Sequence, residues 1–194
     1  MNKLFHDVIN SKLSISVKKC NIITLKKSFT IANFYDIDNT IIFPIDGKLR
    51  YGKNKKTLEK NSALFISSHN TQSISFGSMR AKTLAYEDFI DKKHKYICED
   101  LESNSNSRSE KFLIISIDVK AYDLINIFHS KYVGLDVFNS KNILMTLSSI
   151  SNELKNKPVG FNNVIDLMST KLVYEIIRSF LSNQPLFSGI EENY

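Results

Sequence analysis

The spacing of apolar residues changes near Asp118, and this change limits the folds that the 194-residue chain can adopt. Before Asp118, short apolar runs rich in β-branched and aromatic residues recur between clusters of turn-forming residues. Several runs alternate, as in Leu64 and Ile66, which is the period of a half-buried strand. The pattern predicts about eight or nine antiparallel strands, with runs at residues 22–25, 29–35, 40–45, 48–51, 63–67, 73–76, 82–86, 95–98 and 112–117.

After Asp118 the apolar residues follow a helical period. They predict three helices: one capped by Asp118, one between Ser140 and Pro158, and one over residues 162–182. The third stripe is wide, which is typical of a helix that packs on more than one partner. The first two stripes consist of Tyr122, Ile125, Phe128 and Tyr132, and of Ile143, Leu144, Leu147, Ile150 and Leu154.

These patterns place the chain in the α+β class, as an antiparallel jelly-roll or cupin-like barrel followed by a small helical subdomain. The barrel is predicted over residues 14–117 and the helical subdomain over residues 118–182. The Asp46-Gly47 dipeptide supports a hairpin between two of the strands. Parallel βαβ units would need helices between the strands, and no such helices fit the pattern. A polar stretch over residues 103–109 predicts a flexible loop before the last strand.

Much of the formal net charge of +6 lies in one short basic segment between residues 48 and 60. A basic stripe of this kind is typical of a nucleic-acid contact. It is also typical of a solvated hairpin whose lysines discourage pairing of the sheet edge, and we favour this second interpretation. The cations are Lys48, Arg50, Lys53, Lys55, Lys56 and Lys60, against Glu59 alone.

Cysteine usage and hydropathy indicate a protein of the reducing cytosol. Cys20 and Cys98 are far apart in sequence and form no CxxC pair, so the sequence offers neither a thiolate metal site nor a disulfide framework. No apolar run long enough for a signal peptide precedes Lys12. No stretch long enough to cross a bilayer lacks charged or polar residues. We therefore expect a cytoplasmic protein without a membrane partner.

The sequence contains no recognisable catalytic motif. Its four histidines show no metal-ligand spacing, and only His69 lies at the end of a predicted strand. No GxSxG segment is present, and the glycines are too dispersed for a phosphate-binding loop. Asp36, Asp38 and Asp46 are close in sequence, but they lie at turn positions, where aspartate hydrogen-bonds the local backbone. We therefore expect no enzymatic activity, no metal and no cofactor.

A small antiparallel barrel contains either a ligand cavity or a core that its own side chains fill completely. The sequence leaves both alternatives open. If a cavity is present, we expect a small, mostly apolar ligand, or an anion held by Lys26, Lys27 or Arg80. The side chains predicted to face the cavity are Phe34, Ile41, Phe43, Leu64, Ile66, Ile74, Phe76, Leu84 and Tyr86.

Three segments, residues 41–51, 58–66 and 72–76, resemble the amino-terminal cupin-like domain of AraC/XylS-type transcription regulators, especially the virulence regulators of enteric bacteria. The resemblance implies an effector-sensing and dimerisation domain in which helices follow the barrel. In some relatives a basic residue before the glycine turn holds a fatty acid, whereas Asn39 and Thr40 occupy the nearest positions here. The family's two helix-turn-helix motifs have no counterpart here, so DNA contact is expected only through a domain absent from this sequence.

The second predicted helix has the apolar spacing of a paired helix, because Ile143, Leu147, Ile150 and Leu154 advance in steps of four, three and four residues. These residues would either form a homodimer interface, as the resemblance implies, or pack on the barrel. The function we predict is non-enzymatic effector sensing and dimerisation in a bacterial AraC-type regulator. The alternatives are a small cupin-type enzyme and an adaptor that binds a regulator or nucleic acid.

Overall fold

The computed structural model describes residues 13–78, 80–99, 109–129 and 133–183. Within these residues the chain forms twelve strands, three α-helices and a short 3₁₀ turn at Lys93–Lys95. The helices are α1 Tyr86–Lys92, α2 Lys141–Asn156 and α3 Phe161–Asn183. The strands are β1 Leu13–Leu25, β2 Phe29–Phe34, β3 Asn39–Asp46, β4 Leu49–Tyr51, β5 Lys56–Thr57, β6 Ala63–Ile66, β7 Gln72–Phe76, β8 Lys82–Leu84, β9 Ile97–Cys98, β10 Lys111–Ala121, β11 Ile125–Asn126 and β12 Leu135–Phe138.

The strands form two sheets that pack on each other. The larger sheet has the order β12-β6-β3-β10-β1-β9, with β11 paired to β10, and the smaller sheet has the order β5-β4-β7-β2-β8. The paired strands are antiparallel except β2 with β8. Within the described residues no strand pair joins the two sheets, so they form a two-sheet sandwich and no closed barrel. The predicted α+β class, with mainly antiparallel strands followed by helices, is confirmed.

Each of the nine predicted apolar runs overlaps a strand of the structure. The central strands β1 and β10 are longer than the runs that predict them, because they continue through polar residues that face solvent or the end of the sandwich. The hairpin predicted at Asp46-Gly47 is wrong, because β3 pairs with β6 and β10 in the larger sheet whereas β4 pairs with β5 and β7 in the smaller one. Gly47, with a φ of +141°, turns the chain from one sheet to the other. The end of the run at 82–86 is different, because Tyr86 begins α1 instead of ending a strand.

The larger sheet separates two hydrophobic cores. Ile22 and Ile41 pack towards the helices, whereas their neighbours Ile23 and Ile42 pack towards the smaller sheet. A strand that is buried on both faces has apolar residues at consecutive positions instead of alternate ones. This double burial explains why the runs at 40–45 and 112–117 show no clear alternation.

The helices α2 and α3 form a hairpin that covers the face of the larger sheet opposite the smaller one. The wide apolar stripe of α3 packs on both α2 and β1, as its width predicts. Of the two alternatives for the apolar stripe of α2, the structure shows packing within the chain, because other elements of the same chain cover that face. The four residues of that stripe are between 0% and 9% exposed: Ile143, Leu147, Ile150 and Leu154.

The first predicted helix is not formed. The strand β10 continues past Asp118 to Ala121, so Asp118 lies within a strand and caps no helix. Tyr122 and Asp123 then adopt left-handed φ angles of +52° and +59° in the turn that leads to β11. Such backbone angles end any helical path. Of the predicted stripe, Phe128 is buried, Ile125 is 60% exposed, and Tyr132 lies outside the described residues.

Residues 103–108 of the predicted flexible loop also lie outside the described residues. In the described part of the chain, no helix combines the length and the apolar character needed to cross a bilayer.

Candidate ligand pocket

A cavity of about 110 Å³ lies between the two sheets, at the end of the sandwich that α1 covers. Both sheets contribute to its walls, and α1, the 3₁₀ turn and β9 close one side. Its lining is mostly apolar, with a few polar side chains among the apolar ones. The lining side chains are Lys19, Ile23, Phe29, Ile31, Phe34, Asp36, Thr40, Ile42, Phe76, Tyr86, Phe89, Ile90, Lys93, Ile97, Glu99, Ile114 and Ser116.

Aromatic rings form much of the cavity wall. Phe29 is fully buried and lies between Phe76 and Phe89, with ring centroids 4.9 Å and 4.8 Å apart and nearly parallel planes. Tyr86 meets Phe34 edge to face at 5.6 Å. These rings belong to β2, β7 and α1, so α1 lines the cavity together with the smaller sheet. The separations are those at which aromatic pairs attract each other.

A polar row crosses three strands of the larger sheet at one end of the cavity. The register places Ser116 opposite both Thr40 on β3 and Lys19 on β1. The Thr40 and Ser116 hydroxyls donate hydrogen bonds of 2.9 Å and 3.2 Å to Oδ2 of Asp36. The backbone N–H of Asp38 donates to Oδ1 of Asp36 at 3.2 Å, as expected for a turn aspartate. The Asp36 carboxylate is therefore fixed where it lines the cavity.

Tyr86 lies near this carboxylate. Burial, followed by the negative charges of Asp36 and Glu87, raises the pKa of the Tyr86 hydroxyl. The hydroxyl therefore remains protonated at neutral pH. The backbone N–H of Tyr86 donates a hydrogen bond of 2.9 Å to Oδ1 of Asn33, which connects the start of α1 to β2.

Two lysines and a glutamate form a second polar group at the cavity, named here the rim triad: Lys19, Lys93 and Glu99. The lysine Nζ atoms lie 3.3 Å and 3.4 Å from the two oxygens of Glu99. Burial opposes ionisation of Glu99, but the two ammonium groups outweigh it and lower the pKa. These side chains are 34% to 47% exposed, and exposed ion pairs of this kind contribute about 0–1 kcal/mol each.

Lys19 reaches the cavity because of a β-bulge. The pairing of β1 with β10 shifts register between Val17 and Lys19. Before the bulge, Ile15 and Val17 pack towards the helices, whereas after it Cys20 and Ile22 do so. One extra residue in a strand reverses which face each later side chain occupies. The apolar residues of β1 therefore change from odd-numbered to even-numbered positions at the bulge. This change is visible in the sequence, but the sequence prediction did not use it.

The structure brings together only part of the predicted pocket. Phe34, Phe76 and Tyr86 line the cavity, as predicted. Leu64, Ile66, Ile74 and Leu84 are buried in the core between the sheets but do not line the cavity. Ile41 and Phe43 were assigned to the wrong face, since both pack towards the helices.

The residues predicted to bind an anion do not lie at the cavity. Lys26 and Lys27 are exposed in the turn after β1, where Lys26 donates to the backbone oxygen of His94 at 3.0 Å. Arg80 is exposed in the connection before β8 and does not line the cavity. The cations at the cavity are Lys19 and Lys93, which lie in polar segments that carry no motif.

Cys20, His69 and His129 do not line the cavity. Burial, and then the charge of Asp166, raises the pKa of Cys20 to about 12, so its thiol stays protonated at neutral pH. His69 is exposed and holds the Tyr35 hydroxyl at 2.6 Å through Nδ1, with the ring of His129 at 5.7 Å. No cluster of three or more metal-ligating side chains occurs in the part of the chain that the structure describes.

A β-sandwich that holds a partly apolar cavity between its sheets is an architecture suited to binding a small molecule. No protein-family model matches the chain, and no curated protein is significantly similar to it. The solved structures that resemble it include three of ToxT from Vibrio cholerae, an AraC-family regulator, the family that the sequence resembles.

The likeness to these structures is distant. Apo ToxT from strain SCE256, in a single-residue variant, is 12% identical with a TM-score of 0.47. ToxT from strain O395 is 13% identical with a TM-score of 0.46. Unsaturated-fatty-acid-bound wild-type ToxT from strain SCE256 is 12% identical with a TM-score of 0.45. The matches cover 88–89% of this chain and 54–58% of ToxT. At these values the likeness carries no argument about function.

Proposed function

We propose that this chain is the effector-binding domain of a bacterial AraC-type transcription regulator and that it has no enzymatic activity. The effector is a small, mostly apolar molecule that binds in the cavity between the sheets. By binding one arrangement of α1 and the sheets more tightly than another, the effector shifts their populations and so changes how an attached or partner DNA-binding domain is presented.

The observation that carries this proposal is the cavity itself. Its walls are mostly apolar and aromatic, and two polar groups also line it, namely Asp36 with its two hydroxyl donors and the rim triad. Binding sites for small molecules typically combine an apolar lining with a few placed polar groups in this way. The closing element α1 is short, and of its residues only Phe89 is buried. Elements with few buried contacts open at low free-energy cost.

Thermal unfolding with a panel of small apolar compounds tests the proposal. The panel contains phenol, indole, decanoate and an unsaturated long-chain fatty acid, since one resembling ToxT structure contains an unsaturated fatty acid. A ligand at 100 times its dissociation constant stabilises the folded state by about 2.7 kcal/mol. For a chain of this length this raises the unfolding midpoint by roughly 5–10 °C.

The variant Ile114→Phe places a larger side chain in the cavity wall and should abolish the shift. The matched control is Ile125→Phe, because Ile125 is 60% exposed and lies outside the cavity. The proposal fails if no compound in the panel raises the midpoint, or if Ile114→Phe leaves every shift unchanged.

Dimerisation belongs to the same proposal but needs a surface other than the buried stripe of α2. Sedimentation equilibrium over a range of concentrations measures it directly. A monomer at all concentrations would remove dimerisation from the proposed function without affecting effector binding.

The basic segment supports a second candidate, direct binding of nucleic acid. Lys48, Lys53, Lys55, Lys56 and Lys60 are all exposed, and within the described residues none forms an ion pair. Arg50 is different, since it is 6% exposed and its Nη1 donates to the backbone oxygen of Gly77 at 2.8 Å. Five free ammonium groups around the β4–β5 hairpin are a suitable contact for phosphates.

A further inference from the structure

The size of the cavity restricts the ligand that the proposed function calls for. Pockets for drug-sized ligands typically enclose about 300–1,000 Å³, and a dry cavity of about 150 Å³ accommodates benzene. At about 110 Å³, the cavity of this chain is closer in volume to the benzene site than to a drug-sized pocket. A long-chain fatty acid would need several times this volume, and the described conformation does not provide it.

The walls of the cavity favour a flat ring. Five aromatic side chains line the cavity, and Phe29 already stacks on both Phe76 and Phe89 with interplanar angles of 23° and 15°. A planar aromatic ligand extends such a stack and gains attraction beyond simple burial of its surface. A branched aliphatic ligand of equal volume lacks a face that matches these rings.

The polar groups favour a neutral ligand that donates a hydrogen bond. An ionised carboxylate has about four acceptor positions, and Asp36 uses three of them for Thr40, Ser116 and the backbone of Asp38. One acceptor position remains at a carboxylate that lines the cavity. A donor on the ligand would satisfy it with a charge-assisted hydrogen bond.

The charges around the cavity do not favour an anion. Lys19 and Lys93 are the two cations of the lining, and they are balanced by Glu99 and Asp36. A ligand carboxylate would have to share both ammonium groups with Glu99 and would be repelled by the Asp36 carboxylate in the same lining. Removing an unpaired charge from water is strongly unfavourable.

From these four observations we infer that the cavity takes a small, neutral aromatic molecule with one N–H or O–H donor, the donor meeting Asp36 and the ring packing against the aromatic wall that includes Phe76 and Phe89. This inference rests on the proposed function and names the ligand class of the same site. Phenol and indole are the simplest members of this class.

The composition of the chain provides a direct assay. The sequence contains no tryptophan, so the fluorescence of indole excited near the red edge of its absorption reports the ligand alone. Indole is titrated with the folded protein, and its fluorescence anisotropy gives the dissociation constant. The analogue 1-methylindole has the same ring without the donor, and it should bind at least tenfold more weakly, the effect of about 1.4 kcal/mol from one charge-assisted hydrogen bond.

The variant Asp36→Asn tests the hydrogen bond to the ligand separately from the packing of its ring. It removes one acceptor oxygen, so indole should lose about tenfold in affinity while 1-methylindole keeps its affinity. Asp46→Asn is the matched control, because Asp46 is exposed at the end of β3 and does not line the cavity. Thermal unfolding of both variants verifies that they are folded.

The outcomes are distinct. Tighter binding of indole than of 1-methylindole, with a ratio that falls towards one in Asp36→Asn alone, supports the inference. If decanoate or an unsaturated fatty acid binds and indole does not, the inferred ligand class is wrong and the proposed function stands. If indole binds without discrimination between the two analogues, the role of Asp36 is wrong. If nothing in the panel binds, both proposals are wrong.

Discussion

The hydroxyl of Thr146 on α2 donates a hydrogen bond of 2.9 Å to Oε2 of Glu175 on α3, and both side chains are buried. Lys171 reaches the pair from solvent, with its Nζ 3.5 Å from Oε1 of Glu175 and 3.2 Å from the Thr146 hydroxyl. A carboxylate withdrawn from water requires such donors. This polar contact fixes α2 against α3.

Replacement of Thr146 by valine keeps the shape of the side chain and removes the donor. We expect Thr146→Val to lower the free energy of unfolding by about 1–3 kcal/mol, because the Glu175 carboxylate loses its buried partner. Urea unfolding monitored by circular dichroism measures the change. The control is Thr170→Val, whose exposed hydroxyl donates only to the backbone of Asp166 and whose loss should change stability by less than about 0.5 kcal/mol. Equal losses in both variants would contradict the assigned role of the contact.

The buried face of α2 makes a second prediction about stability. Leu147 is fully buried, so Leu147→Ala should cost about 2–5 kcal/mol, the range for a core leucine that leaves a cavity. Met145 on the opposite face is 58% exposed, and Met145→Ala should cost less than about 0.5 kcal/mol. Urea unfolding at one protein concentration compares the two. If Leu147→Ala changed sedimentation without changing stability, this face of α2 would be an interface after all.

Nine strands were predictable because their apolar runs are short and bounded by turn residues. The short strands β5, β11 and β12 lie outside these runs and were missed. The helix predicted over Tyr122 to Tyr132 was wrong, since a periodic apolar pattern does not report backbone angles. Tyr122 and Asp123 adopt positive φ values in the turn after β10, and non-glycine residues rarely do so. Nothing in the residue types themselves marks that turn.

The candidate site was predictable only in its apolar part. Phe76 follows the alternation of its strand, which the sequence shows directly. Phe34 comes after a register shift in β2, and Tyr86 lines the cavity from the start of α1. Lys19 and Lys93 depend on a bulge in β1 and on the 3₁₀ turn after α1, and neither feature follows from a regular period. Pairing between strands that are distant in sequence decides which lysine faces a cavity. A sequence pattern contains that information only indirectly.

Asp38 makes a prediction about pH. Burial, followed by the charges of Asp36 and Asp118, raises the pKa of Asp38 above its usual value of 3.8, although Lys18 and Lys120 oppose this. The folded state therefore holds the proton more tightly than the unfolded state, so this group lowers stability as the pH rises through the raised pKa. We expect Asp38→Asn to raise the unfolding midpoint at pH 7 by about 1–2 °C, a typical effect for a partly exposed side chain.

The gain from Asp38→Asn should disappear at pH values below about 3.8, where the wild-type carboxyl is protonated in both states. Thermal unfolding at several pH values measures this trend. A stabilisation that is independent of pH would show that the substitution acts through packing instead of charge.

Two glycines with positive φ differ in their surroundings and form a matched pair. A Cβ at Gly47, φ +141°, would lie 2.8 Å from Cβ of Glu110 and 2.8 Å from the ring of Phe112, whereas a Cβ at Gly52, φ +74°, meets nothing within 4 Å. Gly52→Ala should therefore cost only the backbone strain, about 1–2 kcal/mol. Gly47→Ala adds a steric term and should cost about 1–3 kcal/mol more. Equal costs in urea unfolding would mean that the β3–β4 turn relaxes freely.

The lysines of the β4–β5 hairpin make a prediction about salt. If they contact the phosphates of nucleic acid, the logarithm of the affinity for a DNA duplex falls linearly with the logarithm of salt concentration, by about 0.9 for each phosphate that is neutralised. Replacing Lys53, Lys55 and Lys56 by glutamine should therefore reduce the slope by about 2.7 and weaken binding to all sequences alike. Fluorescence anisotropy of a labelled duplex at several salt concentrations measures both quantities.

The control for this prediction removes the same net charge from the helical layer, at the exposed residues Lys141, Lys155 and Lys157. Its slope should remain that of the unmodified chain, because these side chains lie on and beside α2, apart from the hairpin. If both triple variants lose the same slope, the attraction depends on net charge alone and the hairpin is only a solvated edge of its sheet. If the unmodified chain binds no duplex at low salt, the nucleic-acid candidate is removed and effector binding remains.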